Sequence, residues 1–281
     1  VKMKSGKENT MTMFERLKGS RYFELSGLVC LIIVYSVIVQ SRSGNFLTLG
    51  NINNVLKEIV VYGILASALT FPLINGTFDL SIESTCALGG TCCALLITDG
   101  LFGLKTNLFF AVILSVLICS IVGVANGLLV SRTKIDPFIM TLGTQTAVRG
   151  IVYIVCNNSA VTSLPDSFKY LSSGKILGIS VSIWILILVF VMMALVLGKT
   201  SYGRKIYAIG GSYTAAYISG INVKKIRFST YIISAALSCI AGILSTARVG
   251  SATPNAASGY ATIAISACAI GGVALTGGKG L

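Results

Sequence analysis

Long apolar runs separated by short polar or charged connections dominate the sequence, and they set the elements it predicts. Residues 22–40 form the first run and 59–74 the second, which Pro72 interrupts near its end. The third, 82–98, is rich in small residues, and the fourth covers 107–130. The fifth, 137–155, opens on Pro137, a residue favoured at the first helical position. Residues 180–198 are the most lipid-like stretch, and 229–247 supply a seventh run. The eighth, 261–276, is short and glycine-rich, which suits a re-entrant or tightly packed segment better than a full span. Runs of this kind approach the roughly 20 apolar residues that cross a bilayer core. The expected fold is therefore an all-α, polytopic integral membrane helix bundle of about eight hydrophobic segments.

Composition agrees: 54% of the residues are hydrophobic and only 11% charged, too few to clothe a soluble domain. The net charge of +13 invites a nucleic-acid reading, but the Lys and Arg cluster at the ends of apolar runs instead of along one face. A bilayer explains that placement, and nucleic acid is not an expected partner. With the N-terminus inside, segments 1–21, 131–136 and 199–228 carry fourteen Lys and Arg, against five in 41–58, 99–106 and 156–179. The bias favours a cytoplasmic N-terminus. Residues 1–21 then read as a cytoplasmic tail, not a secretory signal, because their charged stretch is too long and lacks a small-residue cleavage site.

Several kinds of chemistry are excluded. The chain has no His, so neither a Ser/His/Asp triad nor a histidine metal site can form. Its eight Cys (30, 86, 92, 93, 119, 156, 239 and 268) include no C-x-x-C pair and read as small buried hydrophobes; no metal site is expected. GKTS at 198–201 resembles the end of a phosphate loop, but Met193 stands where the first glycine is needed. TGGKG at 276–280 fails because Gly280 follows Lys279 in place of Ser or Thr. The chain itself has no nucleotide site and is not an enzyme on this reading.

One polar stretch breaks the oily pattern: NGTFDLSIEST, residues 75–85. Asp79 or Ser81 is expected to cap the helix that follows, where acids favour the positive helix end. Glu83 falls one turn beyond Asp79 on the same helical face, which predicts two neighbouring carboxylates. Small residues recur nearby and elsewhere, among them Gly63, Gly89, Gly90, Gly123 and Gly127. Such positions let helix backbones approach closely in lipid.

Three stretches carry a resemblance. GTFDLS, 76–81, resembles a Gly-Gly-Ile-Asp-Leu-Ser turn; IDPFIMTLGTQTAVRGIVYIV, 135–155, resembles a proline-started helix with Thr-Leu-Gly and a later Arg-Gly. The third, 201–260, runs through Gly-Arg, Tyr-Ala, Gly-Gly, Ala-Ala, Ser-Gly-Ile-Asn-Val and Pro-Asn-Ala in order. Together they are similar to permease subunits of bacterial ABC importers of the ribose/galactose type, over nearly all of 22–281. The resemblance implies a multi-pass permease domain in the bacterial inner membrane, moving a sugar or sugar-like solute. It implies an ATPase subunit that holds ATP and Mg, an extracytoplasmic solute-binding protein, and a second permease subunit, identical or paralogous. Thr214, Ala215, Ala216 and Gly220 match the family's ATPase-coupling loop.

Intramembrane polar groups are costly and usually face a cavity or a partner, so Asn75, Asp79, Glu83, Asn126, Thr141, Thr144, Gln145 and Arg149 are candidates for the solute pathway. For Asn126 a hydrogen bond between helices serves equally well. Arg149 could pair with Asp79 or Glu83, or reach the outer surface. There are departures from the family pattern. Glu83 stands where glycine is common, and Ala261, Thr262 and Ile263 replace a usual Glu-Leu-Asp. The chain also stops at GGVALTGGKGL, where the family's ten spans lead one to expect a further hairpin. An alternative on the residues alone is an ion-coupled secondary transporter with Asp79 and Glu83 as ion ligands.

Overall fold

The computed structural model describes residues 21–101 and 103–280. The expected tail 1–21 therefore lies outside the described residues except for Arg21, which opens the first helix. The described residues form eleven helices: α1 Arg21–Ser43, α2 Leu49–Ile74, α3 Ile82–Ile97, α4 Leu108–Arg132, α5 Pro137–Val155 and α6 Asp166–Ser173 come first. A two-residue-per-strand hairpin, β1 Lys175–Ile176 with β2 Ile179–Ser180, precedes α7 Val181–Lys199. Then follow α8 Ser201–Gly211, α9 Tyr213–Ile218, α10 Val223–Val249 and α11 Tyr260–Ile270. Six of them, α1, α2, α4, α5, α7 and α10, are long and apolar enough to cross a membrane, while α3 and α11 are shorter apolar helices. The chain is a multi-pass, all-α membrane protein.

Two compact units divide at residue 55. In the first, α1 ends in a polar turn: Gln40 donates to the Gly44 carbonyl and accepts from the Leu47 N–H, and Asn51 donates to the Phe46 carbonyl.

The second unit is organised around α10, against which α3 and α4 pack with almost no side-chain spacer. A methyl at Gly123 would stand 2.6 Å from the Tyr231 carbonyl, one at Gly127 2.8 Å from that of Phe228, and one at Gly89 2.8 Å from the Cys239 Cα. At Gly242 it would overlap the Cys86 carbonyl oxygen. Without a hydrophobic force between helices in lipid, contact of this closeness supplies the van der Waals attraction that holds them. Seven of the eight cysteines fill the same interior as buried, free thiols; Cys30 alone is exposed.

Helix starts are capped as sequence rules require: Asn107 accepts from the Phe110 N–H, Asp136 from Phe138, Thr200 from Gly203, Ser212 from Ala215, and Asn222 from Lys225. Three expected connections contain helix. The second apolar run starts at Leu49 instead of 59, the connection 156–179 holds α6 and the hairpin, and 199–228 holds α8, α9 and the first turn of α10. Val161 pairs with Ala252 across an antiparallel bridge, which puts the α5–α7 and α10–α11 connections on one side of the bundle, as alternating spans demand.

Candidate functional site

The stretch that interrupts the apolar pattern forms a buried turn. α2 ends in a Schellman motif: the Thr77 N–H bonds the Pro72 carbonyl, the Gly76 N–H bonds that of Leu73, and Gly76 takes the left-handed conformation at φ 74°. From there Phe78–Ser81 cross to the start of α3, buried from Asp79 onward, and three other helices supply the bonds that this stretch of polar backbone needs. Tyr231 of α10 donates to the Phe78 carbonyl at 2.9 Å, and the Leu80 N–H donates to Thr141 of α5 at 3.1 Å. Asn126 of α4 donates to the Ser81 hydroxyl at 2.8 Å.

Asp79 lies at the centre and is only 2% exposed. Its Oδ1 accepts from the Ser81 N–H at 3.1 Å and the Ser81 hydroxyl at 2.6 Å, and its Oδ2 accepts from Ser234 at 2.7 Å. The expected cap is not formed. Ser81 has helical φ and ψ and makes no side-chain cap bond, and Asp79 reaches only the N–H of Ser81. The acid thus braces the turn instead of the helix.

Glu83 belongs to a separate network. Its Oε1 accepts from Gln145 at 2.6 Å and lies 3.7 Å from the Arg149 guanidinium. Its Oε2 accepts the N–H groups of Gly259 at 3.0 Å and Ala261 at 3.4 Å. That places a carboxylate on the N-terminus of α11, where free N–H groups and the helix dipole favour negative charge. Gly259, the residue before α11, has no side chain to cap it, so a group from α3 does so across space. Arg149 also donates twice, at 2.7 Å, to the carbonyls of Pro254 and Ala256, fixing the connection that leads into α11. Beside it the Tyr62 and Tyr260 rings meet edge to face at 4.9 Å, and Arg248 pairs with Glu58.

Asp79 and Glu83 therefore fall in two separate hydrogen-bond networks instead of sharing one. Asp79 precedes the helix and is not subject to its periodicity, and each carboxylate has its own donors. An ion site built from both acids loses its geometric basis. Of the eight pathway candidates, six enter these two networks. Asn75 is fully buried at the end of α2, and its amide meets no protein partner; Thr144 bonds only the Met140 carbonyl of its own helix. Sequence reasoning read Ser81 only as a cap and missed Tyr231 and Ser234, whose one available signal was a polar group on an otherwise buried helix face. The Gly259 and Ala261 contributions come from backbone and have no sequence signature.

The matched loop residues Thr214, Ala215 and Ala216 fall on α9, a short helix closed at both ends. Ser212 caps its start, and a second Schellman motif closes it: Ile221 N–H to the Ala216 carbonyl, Gly220 N–H to that of Tyr217, with Gly220 at φ 80°. Ala216 packs inward with Ile209 and Val223. Tyr217 and Ile218 point outward, 67% and 79% exposed, beside an open cleft of about 660 Å³ reaching Tyr213 and Lys224. Arg227 sits 5.1 Å over the Tyr213 ring, so that cation has a partner besides any lipid headgroup.

Residues 51–278 match the family described as branched-chain amino acid transport system, permease component. The ribose import permease protein RbsC of Escherichia coli K12 is 34% identical over 276 residues, covering 95% of this chain and 84% of that one. The Bacillus subtilis 168 ribose import permease is 36% identical over 256 residues, 90% and 77% of the two chains. The L-arabinose ABC transporter permease protein AraH of Azospirillum brasilense is 33% identical over 253 residues, 90% and 73%. No solved structure matches.

Proposed function

We propose, from the premise that this chain belongs to the branched-chain amino acid transport system permease component family, that it is the membrane subunit of an ATP-driven sugar importer. The family description names amino acids, whereas the relatives compared are permeases for ribose and arabinose, so the family carries the architecture and the relatives carry the solute. A pentose or similar polyol is the cargo. An extracytoplasmic binding protein delivers it, a second permease subunit completes the path, and an ATPase subunit holds ATP and Mg on the cytoplasmic face of a bacterial inner membrane.

The observation that carries this reading is α9. A two-turn helix capped at both ends, anchored through Ala216 and with Tyr217 and Ile218 turned out of the fold, presents a knob for a partner. Buried in an ATPase cleft, an exposed aromatic and an aliphatic would anchor the contact. Closure of the ATPase then displaces α9 and switches the helix packing between two arrangements. The test is co-purification of the chain with an ATPase subunit and hydrolysis stimulated by a pentose-loaded binding protein. A chain that binds no ATPase and transports without one sinks the proposal.

A further inference from the structure

Three chain segments meet backbone to backbone at one point of the second unit. They are the end of α2 (Ile74 and Gly76), the end of α8 (Gly210 and Gly211), and the turn Thr276–Gly280. The Gly278 N–H donates to the Ile74 carbonyl at 2.8 Å. A methyl at Gly210 would overlap both the Ile74 carbonyl oxygen and the Gly278 nitrogen. One at Gly277 would lie 2.7 Å from the Gly76 Cα, and one at Gly278 2.7 Å from the Gly211 Cα. The turn is closed on itself by Gly277 N–H to Ala274 O and Ala274 N–H to Lys279 O, both 3.0 Å. Tyr207 of α8 reaches the Gly280 carbonyl at 3.5 Å.

What this junction connects gives it meaning. On one side Gly211 is followed by Ser212, whose hydroxyl caps α9, so α8 and α9 form one cornered piece. On the other, Gly76 closes α2 and is three residues from Asp79, whose bonds tie the turn to α10. A contact made of side chains can slide by changing rotamers, whereas main chain in direct contact has no such freedom and moves as a block. The fully buried Asn75 lies in the same few residues.

We infer that Gly76, Gly210, Gly277 and Gly278 form a rigid joint that carries displacement of α9 into the buried Asp79 turn. These are positioning residues: none touches solute or nucleotide. The inference rests on the reading of α9 as the ATPase contact, and it adds the route by which that contact reaches the membrane interior. It also accounts for a glycine tract at 277–278 far in sequence from every candidate polar residue.

The experiment uses the full complex of chain, ATPase and binding protein in proteoliposomes, with labelled D-ribose and L-arabinose as probes. In Gly210→Ala, assembly and stimulated ATP hydrolysis persist while uptake per ATP falls roughly tenfold, a loss typical of a broken coupling between sites. An unchanged ratio of uptake to hydrolysis overturns the joint. Should Gly210→Ala fail to assemble, a second variant decides. An Ile74→Cys and Gly280→Cys pair, oxidised with copper phenanthroline, locks the joint. A rigid block predicts uptake within twofold of the reduced form, whereas loss of uptake that returns on reduction shows the segments move apart and refutes the inference. If the wild-type complex shows no ATP-dependent uptake at all, the functional reading has failed, and the joint is not what was at fault.

Discussion

Glu83 of α3 and Arg149 of α5 meet at 3.7 Å, and each also holds the approach to α11: the acid through two backbone N–H groups, the base through two carbonyls. One ion pair thus clamps three helices at a site only 6% exposed on the acid side. Breaking such a pair by removing one charge leaves the other buried and uncompensated. Glu83→Gln should therefore cost about 3–5 kcal/mol, read as a lowered melting temperature in detergent. Arg149→Lys should also destabilise, because an ammonium cannot span Glu83 and the two carbonyls with the same fork. A double Glu83→Gln, Arg149→Gln variant less destabilised than the sum of the single changes would establish the coupling, and strict additivity would deny it.

The Asp79 turn makes a second, independent prediction. Ser234→Ala removes a donor to a buried carboxylate and should cost about 1.5–3 kcal/mol. In an Asp79→Asn background the same change should cost markedly less, because one of the two acceptor oxygens that the serines serve has gone. Equal costs in both backgrounds, measured by chemical or thermal unfolding, would show that Ser234 acts only through packing.

Much of this was legible from pattern. The fifth run was expected at 137–155 and forms Pro137–Val155, because Pro137 fixes its start and an unbroken apolar stretch its length. The small residues did mark close helix contact, as Gly89, Gly123 and Gly127 do against α10. The start of α2 was missed because Asn51, Asn53 and Asn54 look like a loop, yet they lie on an exposed first part of the helix where polar side chains cost nothing. Helix α8 was hidden for a related reason, since a short helix lacks the long apolar run that reveals a span, whereas the matched Thr214, Ala215, Ala216 and Gly220 did mark the loop that holds α9. At the site, spacing misled for Asp79 and Glu83 because a helical period was applied to a residue that precedes the helix. The partners of Glu83 on α11 are main-chain groups, which no residue type announces.

Glycine contacts separate two classes of substitution. Gly242→Ala would drive a methyl into the Cys86 carbonyl, and overpacking of that kind should cost about 2–3 kcal/mol. Gly143→Ala meets nothing within 4 Å in this chain and lies in a helix, so it should be neutral or stabilising by up to about 1 kcal/mol. Melting curves of the purified chain distinguish them, and equal effects would contradict the packing described.

The exposed face of α9 predicts a change in binding without a change in folding. Tyr217→Ala and Ile218→Ala should leave the melting temperature of the isolated chain within error, since both side chains already face outward. Each should weaken ATPase capture by about 1–2 kcal/mol, a range usual for central interface anchors. Intact capture by the double variant, in a pull-down titrated with ATPase, would move the contact elsewhere.

The most direct test of the account is labelled pentose uptake into proteoliposomes holding this chain with its ATPase, with the binding protein supplied on the outer side. The account predicts uptake that requires both ATP hydrolysis and the binding protein and is indifferent to sodium and proton gradients. Uptake driven by an ion gradient, with the ATPase absent, would contradict it.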